Sequence, residues 1–198
     1  RLQSVHAVYT SPSVCKCGGG LLTGGTGALG LLMACWLRQR GTAKLTLLSR
    51  SGSTAAGAID NWDDLAVCSE RRIVCVELCD IGNSYNETCS MECGSAGATD
   101  IVHSAGVLAD ALLLGQTQAG LQRVWLPKAD AGWRLHDAVW GRSVTRLKAF
   151  ALFSSIAALL GGAGQANYAA ANASLDSLSR ARHDKGLVAS SLQWGAWA

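Results

Sequence analysis

A tyrosine, a serine and an asparagine lie close together in the segment FSSIAALLGGAGQANYAAANASLDSLSRAR, which spans residues 153–182. Tyr168 and Asn172 are four residues apart in a run with helical character, so a helix would place them on one face. Ser155 ends the apolar, strand-like run that precedes this helix. A phenol, a hydroxyl and an amide in this arrangement are the side-chain types of a general acid with hydrogen-bonding neighbours.

Such a phenol needs a cation nearby, because a free tyrosine has a pKa of about 10 and is a poor proton donor at neutral pH. A neighbouring ammonium favours the phenolate and so makes the proton easier to release. The residue one helical turn after Tyr168 is Asn172 and not a lysine. The chemistry therefore predicts a lysine that is supplied by another element.

A glycine-rich turn near the start of the chain, LLTGGTGALG at residues 21–30, predicts a dinucleotide site. Gly25, Gly27 and Gly30 match the pattern GxGxxG, and the turn follows a strand-like run and opens a helical one. The first glycine allows a tight turn, the second lets the backbone approach a pyrophosphate, and the third lets helix and strand pack closely. Free N–H groups at the helix N-terminus then favour the phosphates.

The end of the second predicted strand discriminates between nicotinamide cofactors. NAD sites usually carry an acidic residue there for the ribose 2′-hydroxyl, whereas this chain has LLSRSG at residues 47–52. The guanidinium of Arg50 and the hydroxyls of Ser49 and Ser51 suit a 2′-phosphate, which favours NADPH as the cofactor. The alternative is that Arg50 is a solvated loop charge.

Further cofactor contacts are predicted at the ends of the third and fourth strands. Asp80 is placed beside the adenine, and the small residues of HSAG at 103–106 lie along the cofactor. His103 in this motif is interpreted as structural rather than catalytic. The full set of predicted cofactor contacts is Thr23, Gly24, Gly25, Thr26, Gly27, Ala28, Leu29, Gly30, Ser49, Arg50, Asp80, Ser104, Ala105 and Gly106.

The elements that must position these residues alternate along the chain. Strands are predicted at 19–23, 44–50, 72–78, 99–106, 148–155 and 187–194, and helices at 28–41, at 108–140 with an interruption at Pro127, and at 167–185. Strands that alternate with helices indicate an α/β fold, a doubly wound Rossmann architecture with a mainly parallel sheet. Residues 18–198 are predicted to form this single domain, and residues 1–17 a linker or the end of a preceding structural subdomain.

Composition and charge exclude several classes of protein. The 198 residues carry a net charge of +3 with scattered Arg and Lys, which argues against nucleic acid as a partner. The longest apolar run, at residues 28–37, is too short to span a bilayer, so no membrane association is predicted. The eight cysteines lack CxxC spacing and predict reduced thiols in a cytoplasmic protein. A metal site around Cys15, Cys17, Cys89 and Cys93 is the disfavoured alternative, and no metal is predicted.

At this point the motifs are specific enough to name a resemblance. The chain resembles the catalytic subdomain of ketoreductases from modular polyketide synthases, in the short-chain dehydrogenase/reductase superfamily; ketoreductases of fatty acid synthases are similar. The motifs are TGGTGALG, VHSAGVLADALL, LPKADAGWRLHD, FSSIAALLGGAGQANYAAANASLD and SLQWGAWA, in the family's order and across nearly all of residues 18–198. The resemblance implies that the missing cation is Lys128 of LPKADAG, which the preceding proline places at a helix start.

The resemblance also implies the role of each catalytic residue. Tyr168 protonates the developing alkoxide, and Ser155 holds the substrate carbonyl by a hydrogen bond. Lys128 lowers the pKa of the tyrosine and contacts the nicotinamide ribose, and Asn172 orients Lys128 or a water in a proton relay. Taken singly, each of these residues also has an ordinary structural interpretation, as a half-buried aromatic, a loop cap, a surface charge or a helix-face amide.

The implied reaction is the NADPH-dependent reduction of a β-ketoacyl thioester, carried on an acyl carrier protein, beside other domains of the same synthase polypeptide. Members of the family that form a 3R-type alcohol resemble one another at an LDD triplet, of which Leu108, Ala109 and Asp110 keep the final Asp. The opposite class has a Trp eight residues before the tyrosine, where this chain has Leu160. The resemblance therefore favours the 3R-type product.

Two other functions remain compatible with the sequence: a degenerate ketoreductase-like module that only contributes structure, and a stand-alone short-chain reductase of free ketones. The four candidate catalytic residues argue against the first. The linker-like first seventeen residues argue against the second. The resemblance further implies that the helix covering the substrate follows the last residue of this chain, so that the domain is truncated before its lid.

Overall fold

We analysed a computed structural model of the chain, which describes residues 19–55, 65, 73–82, 98–140 and 147–195. The predicted linker at 1–17, Gly18 and the cysteines of the alternative metal site lie outside the described residues. Within the described ranges, six parallel strands form one sheet in the order β3-β2-β1-β4-β5-β6. The strands are β1 Gly19–Thr23, β2 Lys44–Ser49, β3 Ile73–Leu78, β4 Ala98–His103, β5 Ala149–Ser155 and β6 Ser190–Trp194.

The helices of the described residues cover both faces of this sheet. They are α1 Ala28–Gln39, α2 Gln118–Trp125, α3 Ala131–Trp140, a short α4 Ala157–Leu160 and α5 Ala166–Asp184. A 3₁₀ turn lies at Leu113–Gly115, and a single π-helical turn at Leu126–Asp130 joins α2 to α3.

The central strands β1 and β2 are buried on both faces because each face meets helices, whereas the edge strand β6 is largely exposed. On one face, Leu135 of α3 and Leu175 and Leu178 of α5 pack with Phe150 of β5. On the other face, apolar residues of α1 pack with Leu22 of β1 and with apolar residues of the other strands. The prediction of a doubly wound parallel sheet is confirmed, and the chain order reverses between β1 and β4, where such folds open a crevice for ligands.

The largest difference from the predicted elements lies in the region expected to be helical from residue 108. Residues 107–112 have no regular secondary structure, and the helix begins only at Gln118, where the Thr117 hydroxyl accepts a hydrogen bond from the Gly120 amide at 3.0 Å. Leu112 and Leu114 are fully or largely exposed, so their apolar pattern does not correspond to a buried helix face. Pro127 also does not begin a new helix, because the chain passes through it as a π-helical turn.

A buried arginine ties the two helices of one face to the sheet. Arg182 of α5 donates to His136 Nδ1 at 2.8 Å and to the Val188 carbonyl at 3.0 Å, and its guanidinium lies 3.9 Å from the centre of the Phe150 ring. Desolvation by burial lowers the pKa of Arg182, and it also lowers the pKa of His136, with the Arg182 charge as a further cause. His136 is thus held as a neutral acceptor.

Two findings bear on the predicted cellular setting. In the part of the chain that the structure describes, no helix combines the length and hydropathy needed to cross a membrane. The prediction of reduced thiols is wrong at Cys79, which is disulfide-bonded. Cys35 and Cys75 carry thiols, as predicted, and a cytoplasmic location stays a prediction.

Candidate active site

The glycine turn between β1 and α1 lies at the crevice, against the end of β4. Gly24 has a φ of +64°, and a Cβ there would lie 2.8 Å from the Ala105 Cα. The left-handed residue of the turn is therefore Gly24 and not Gly25, to which the sequence pattern assigned the turn. Gly25 is required for a different reason, since its Cβ would lie 2.7 Å from the Leu47 Cβ.

The same turn leaves the start of α1 open to a ligand. A Cβ on Gly30 would collide with the Gly24 carbonyl oxygen, so the glycine lets helix and turn pack closely, as predicted. The N-cap residue of α1 is Gly27, and no side chain caps the helix. Amides of the first turn of α1 therefore have no intrahelical acceptor and are available to an anion.

The residues predicted to recognise the 2′-phosphate are placed differently from one another. Arg50 is exposed just after β2, at the same edge of the sheet as the glycine turn. Ser49 is buried, and its hydroxyl is 2.7 Å from the Thr26 hydroxyl while it accepts from the Gly52 amide. The Ser49 hydroxyl thus stabilises the glycine turn from inside the protein. Of the residues predicted to bind the 2′-phosphate, Arg50 is therefore expected to make the main contact.

Asp80 also has a local partner, because its Oδ1 accepts a hydrogen bond from the Gly82 amide at 3.1 Å. This turn lies against the π-helical turn: a Cβ on Gly82 would lie 2.8 Å from the Leu126 carbonyl carbon. Arg134 of α3 donates to the Ile81 and Gly82 carbonyls at 2.8 Å each. The segment after β3 therefore supports the element that carries Lys128.

Lys128 is buried and turned toward the crevice. Its ammonium donates a hydrogen bond to the Phe153 carbonyl of β5 at 3.0 Å and lies 5.2 Å from the centre of the Tyr168 ring. On its other side it approaches Gly106, where a Cβ would be 3.3 Å from the Lys128 Nζ. The lysine of one helical segment is thus brought between the tyrosine of another and the predicted cofactor loop.

Burial changes the acidity of this ammonium. Desolvation lowers the pKa of Lys128 to about 8, and the Asp176 carboxylate acts in the opposite direction. An ammonium has three N–H donors, of which the Phe153 carbonyl takes one. The remaining donors are available to a hydroxyl or to a ligand in the crevice.

The two serines at the end of β5 have separate roles in the structure. Ser154 is buried and donates to the Asn172 carbonyl at 3.3 Å, which fastens α5 to the strand. Ser155 is half-buried, and its oxygen accepts from the Ala157 amide at 3.2 Å. Because this contact uses the Ser155 oxygen as an acceptor, its O–H remains available to donate to a substrate carbonyl.

Asn172 lies one turn below Tyr168 on α5, as the spacing predicts. Its side-chain nitrogen Nδ2 donates a hydrogen bond to the Tyr168 backbone carbonyl at 2.8 Å. Its Oδ1 is buried and accepts no hydrogen bond within the described part of the chain. A buried acceptor of this kind calls for a donor such as a water or an ammonium, which agrees with the expected contribution of Asn172 to a proton relay.

The segment predicted to control stereochemistry is fastened to the start of α5. Asp110 accepts a hydrogen bond from the Gln165 amide at 3.1 Å, and the Ala111 amide donates to the Gly164 carbonyl at 2.9 Å. Asn167, which is buried beside Tyr168, donates to the Ala109 carbonyl at 2.8 Å. Leu160 is 77% exposed at the end of α4, so the structure does not bring it into this set of contacts.

Two of these positions, Gln165 and Asn167, were not singled out from the sequence. Their closeness to Tyr168 is the only signal in the sequence. Their hydrogen-bond partners, Asp110 and Ala109, lie 55 and 58 residues away in the chain and could not be inferred from spacing. His103 was interpreted as structural, and it is fully buried at the end of β4. Its ring nitrogens contact the Thr23 hydroxyl at 2.6 Å and the Lys128 carbonyl at 2.7 Å.

The described residues fit a nicotinamide dinucleotide. The cradle at Gly24, the uncapped start of α1 and the exposed Arg50 suit its phosphates, and Lys128 and Gly106 line the adjoining part of the crevice. Within the ranges described, no group of three or more His, Cys, Asp or Glu side chains could hold a metal ion. The arrangement is suited to bringing a carbonyl between a hydroxyl donor and a phenol.

Comparison with known proteins agrees with this geometry. A family model described as the KR domain matches residues 18–198. The spectinabilin polyketide synthase system protein NorB of Streptomyces orinoci is 43% identical over 181 residues, which make up 90% of this chain and 8% of that protein. A chalcone synthase, cfoA of Aspergillus candidus, is 40% identical over 183 residues, which make up 90% of this chain and 6% of that protein.

Solved structures of ketoreductases from polyketide synthases are also similar to this chain. A structure described as that of A-type ketoreductases from a modular polyketide synthase matches with a TM-score of 0.79 and 37% sequence identity, over 98% of this chain and 41% of that chain. The chain thus spans less than half of the solved chain and a much smaller share of the two curated relatives.

Proposed function

Because this chain belongs to the KR domain family, the ketoreductases of modular polyketide synthases in the short-chain dehydrogenase/reductase superfamily, we propose that it reduces the β-ketone of an acyl thioester to a β-hydroxyl. The observation that carries the proposal is the buried Lys128 ammonium, 5.2 Å from the centre of the Tyr168 ring and beside the crevice glycine Gly106.

The protein's own part in this reaction is to hold the ketone and to deliver a proton. Ser155 donates its O–H to the ketone oxygen, which polarises the carbonyl and stabilises the charge that grows on it. Tyr168 gives its phenolic proton to that oxygen as the alkoxide forms. The Lys128 ammonium stabilises the phenolate that forms when Tyr168 gives up its proton. The Asn172 Oδ1 accepts a hydrogen bond from a member of the relay that returns a proton to Tyr168.

The bound cofactor supplies the hydride that adds to the β-carbon. For the choice of cofactor we propose NADPH, because Arg50 is an exposed cation at the end of β2 and Ser49 carries no carboxylate to meet a ribose 2′-hydroxyl. The amides of Ala28 and Leu29 complete the proposed phosphate site, and Thr23 and Thr26 support it from inside the protein through their hydroxyl contacts with His103 and Ser49. Ser104 and Ala105 are proposed to lie along the ring system, and Asp80 nearer the adenine.

The proposed substrate is carried on an acyl carrier protein, and the proposed partners are the other domains of a synthase polypeptide in the cytoplasm. These follow from the family and from the polyketide synthases that the chain resembles. The product is proposed to be the 3R-type alcohol, because Asp110 is retained and is held by Gln165 beside the tyrosine helix. Chiral chromatography of the reduced product tests this, and a 3S-type alcohol contradicts it.

The proposed function is tested by following NADPH oxidation with a β-ketoacyl thioester in the full-length protein, with wild type and Tyr168→Phe compared. Loss of the phenolic proton is expected to lower kcat by about 10²- to 10⁴-fold, with cofactor affinity retained. Equal rates for the two proteins contradict the proposed mechanism. Absence of activity in both, with cofactor still bound, supports a structural module instead.

A further inference from the structure

We propose that His103 is a positioning residue, which as a neutral imidazole with its proton on Nε2 links the cofactor turn at Thr23 to the backbone of Lys128. The inference rests on the proposed function, because it assigns to His103 the placement of the lysine that this function requires. It concerns a side chain that touches neither substrate nor reacting atoms, and that acts through its two buried hydrogen bonds.

The two contacts of His103 determine its tautomer. The Lys128 carbonyl oxygen can only accept, so the His103 Nε2 at 2.7 Å must carry the hydrogen. In the neutral ring Nδ1 is then an acceptor, and the Thr23 hydroxyl at 2.6 Å donates to it. Both bonds are short, and the ring is fully buried, so each ring nitrogen has its partner.

The environment keeps the ring neutral. Desolvation by burial lowers the pKa of His103 to about 4, the hydrogen bond to the Lys128 carbonyl acts in the opposite direction, and the Lys128 charge lowers the pKa further. A second proton would have to sit on Nδ1 and would leave the Thr23 hydroxyl without its acceptor. The neutral form is therefore the one that fits both neighbours.

On the lysine side, His103 holds an irregular piece of backbone. Lys128 lies in the single π-helical turn at Leu126–Asp130, and such turns need support because their hydrogen bonding departs from the regular helix. The Lys128 carbonyl is anchored by His103, and its ammonium is anchored by the Phe153 carbonyl at 3.0 Å. The residue is thus fixed at both ends, which sets where the ammonium lies relative to Tyr168.

On the cofactor side, Thr23 is the last residue of β1, immediately before Gly24. Its carbonyl accepts hydrogen bonds from the Ser104 hydroxyl at 2.8 Å and from the Ser104 amide at 3.2 Å. Its hydroxyl donates to His103. One imidazole therefore connects the strand end that forms the cofactor turn with the turn that presents the catalytic ammonium.

Two substitutions separate positioning from simple burial. In His103→Gln the side-chain amide can reach the Lys128 carbonyl and still donate, whereas the shorter amide of His103→Asn reaches only toward Thr23. We expect kcat of the full-length protein to fall by about 10- to 100-fold more in His103→Asn than in His103→Gln, since small displacements of a catalytic group cost rates of this order. The melting temperatures of the two variants should be similar, and the kcat of His103→Gln should be close to that of wild type.

The tautomer is measured on the 198-residue chain with His103 intact. This chain has four histidines, so ¹⁵N-histidine labelling gives few signals, and His103 is assigned as the one signal that stays when His6, His136 and His183 are replaced by Gln in turn. We expect the pattern of a neutral ring with the proton on Nε2, unchanged across the neutral pH range. A proton on Nδ1, or a charged ring at neutral pH, overturns the inference, even where both variants fail to fold.

Equal kcat for folded His103→Asn and His103→Gln also overturns the inference. Failure of the proposed function is seen separately, as a Tyr168→Phe variant that is as active as wild type. The histidine spectrum is independent of activity, so the two failures are distinguishable.

Discussion

At the scale of single residues, the site is organised around a lysine that has been removed from water. An ammonium buried beside an aromatic ring is costly unless a carbonyl or a ligand replaces its hydration. For Lys128 the Phe153 carbonyl is one replacement, and two N–H donors of the ammonium are left for others. Burial disfavours the charge and lowers the pKa of Lys128 to about 8, so the group is still mostly charged at neutral pH and loses its charge in mild alkali.

Arg50 allows a direct test of cofactor choice. Arg50→Ala is expected to raise the Kd of NADPH by about 10- to 100-fold, because a hydrogen bond to a charged group contributes about 1.5–3 kcal/mol. The Kd of NADH should change little, since NADH lacks the phosphate. Fluorescence titration of both cofactors measures the two constants, with Arg180→Ala, another exposed arginine, as the control.

An equal loss of affinity for NADH and NADPH in Arg50→Ala contradicts the assignment of the 2′-phosphate to this residue. So does wild-type protein that binds NADH as tightly as NADPH. Ser49 contributes to this choice only through Thr26 and the shape of the turn, because its hydroxyl is engaged inside the protein.

At the scale of elements, the strand–turn–helix at residues 19–39 followed its predicted bounds because everything that shapes it is local. The glycines, the apolar strand before them and the helix after them are neighbours in sequence. The close approach of Gly24 to Ala105, which lies in the loop after β4, is by contrast a contact between distant parts of the chain. Such contacts are not visible in a one-dimensional pattern.

Gly24 and Gly41 form a matched pair for testing the turn. Both have positive φ, at 64° and 96°, so an alanine at either position bears a left-handed backbone cost of about 1–2 kcal/mol. Only at Gly24 does the new Cβ also meet the Ala105 backbone, whereas at Gly41 nothing lies within 4 Å. We expect Gly24→Ala to weaken cofactor binding by at least about 10-fold, and Gly41→Ala to leave it unchanged.

Calorimetric titration of the cofactor distinguishes the two variants. If both bind the cofactor as wild type does, or both lose it equally, the glycine turn does not form the dinucleotide site that we describe.

The helical segments show where sequence patterns fail. The apolar residues of VLADALLL predict a helix from residue 108, but this stretch is irregular and is hydrogen-bonded to Gly164 and Asn167, more than fifty residues later. Pro127 likewise predicts the start of a helix, but the chain passes through it as a π-helical turn that joins α2 to α3. The catalytic set stays a prediction: Ser155, Tyr168 and Asn172 stand out because they lie close together in the sequence, whereas Lys128 is implied only by the family's motif.

At the scale of the whole molecule, the doubly wound sheet brings residues from distant parts of the chain to one edge. His103 meets Thr23 and Lys128 across 80 and 25 residues, and Lys128 meets Phe153 across 25. The parallel order predicted from alternating elements makes these meetings possible, since the carboxyl ends of β1, β4 and β5 share that edge. Which side chains actually meet there depends on the strand order and on the π-helical turn.

The opposite region of the sheet is held by Arg182, and its removal should affect stability rather than chemistry. Arg182→Met leaves the buried His136 nitrogen and the Val188 carbonyl without their donor, which is expected to cost about 1–3 kcal/mol of unfolding free energy. Arg180→Met, an exposed position on the same helix, should change it by less than about 0.5 kcal/mol. Urea denaturation followed by circular dichroism compares them, and equal stabilities contradict the buried clamp.

The central claim is that the Lys128 ammonium enables Tyr168 to act as the acid, and the pH dependence of kcat/KM in the full-length protein tests it most directly. Because the ammonium is present below its pKa and lost above it, wild-type kcat/KM should be constant at neutral pH and fall as pH rises through about 8. Lys128→Met should lose about 10²-fold or more at neutral pH and lack this fall, whereas Lys148→Met, at an exposed lysine, should match wild type. A Lys128→Met protein with the wild-type rate and the wild-type pH profile would contradict the account.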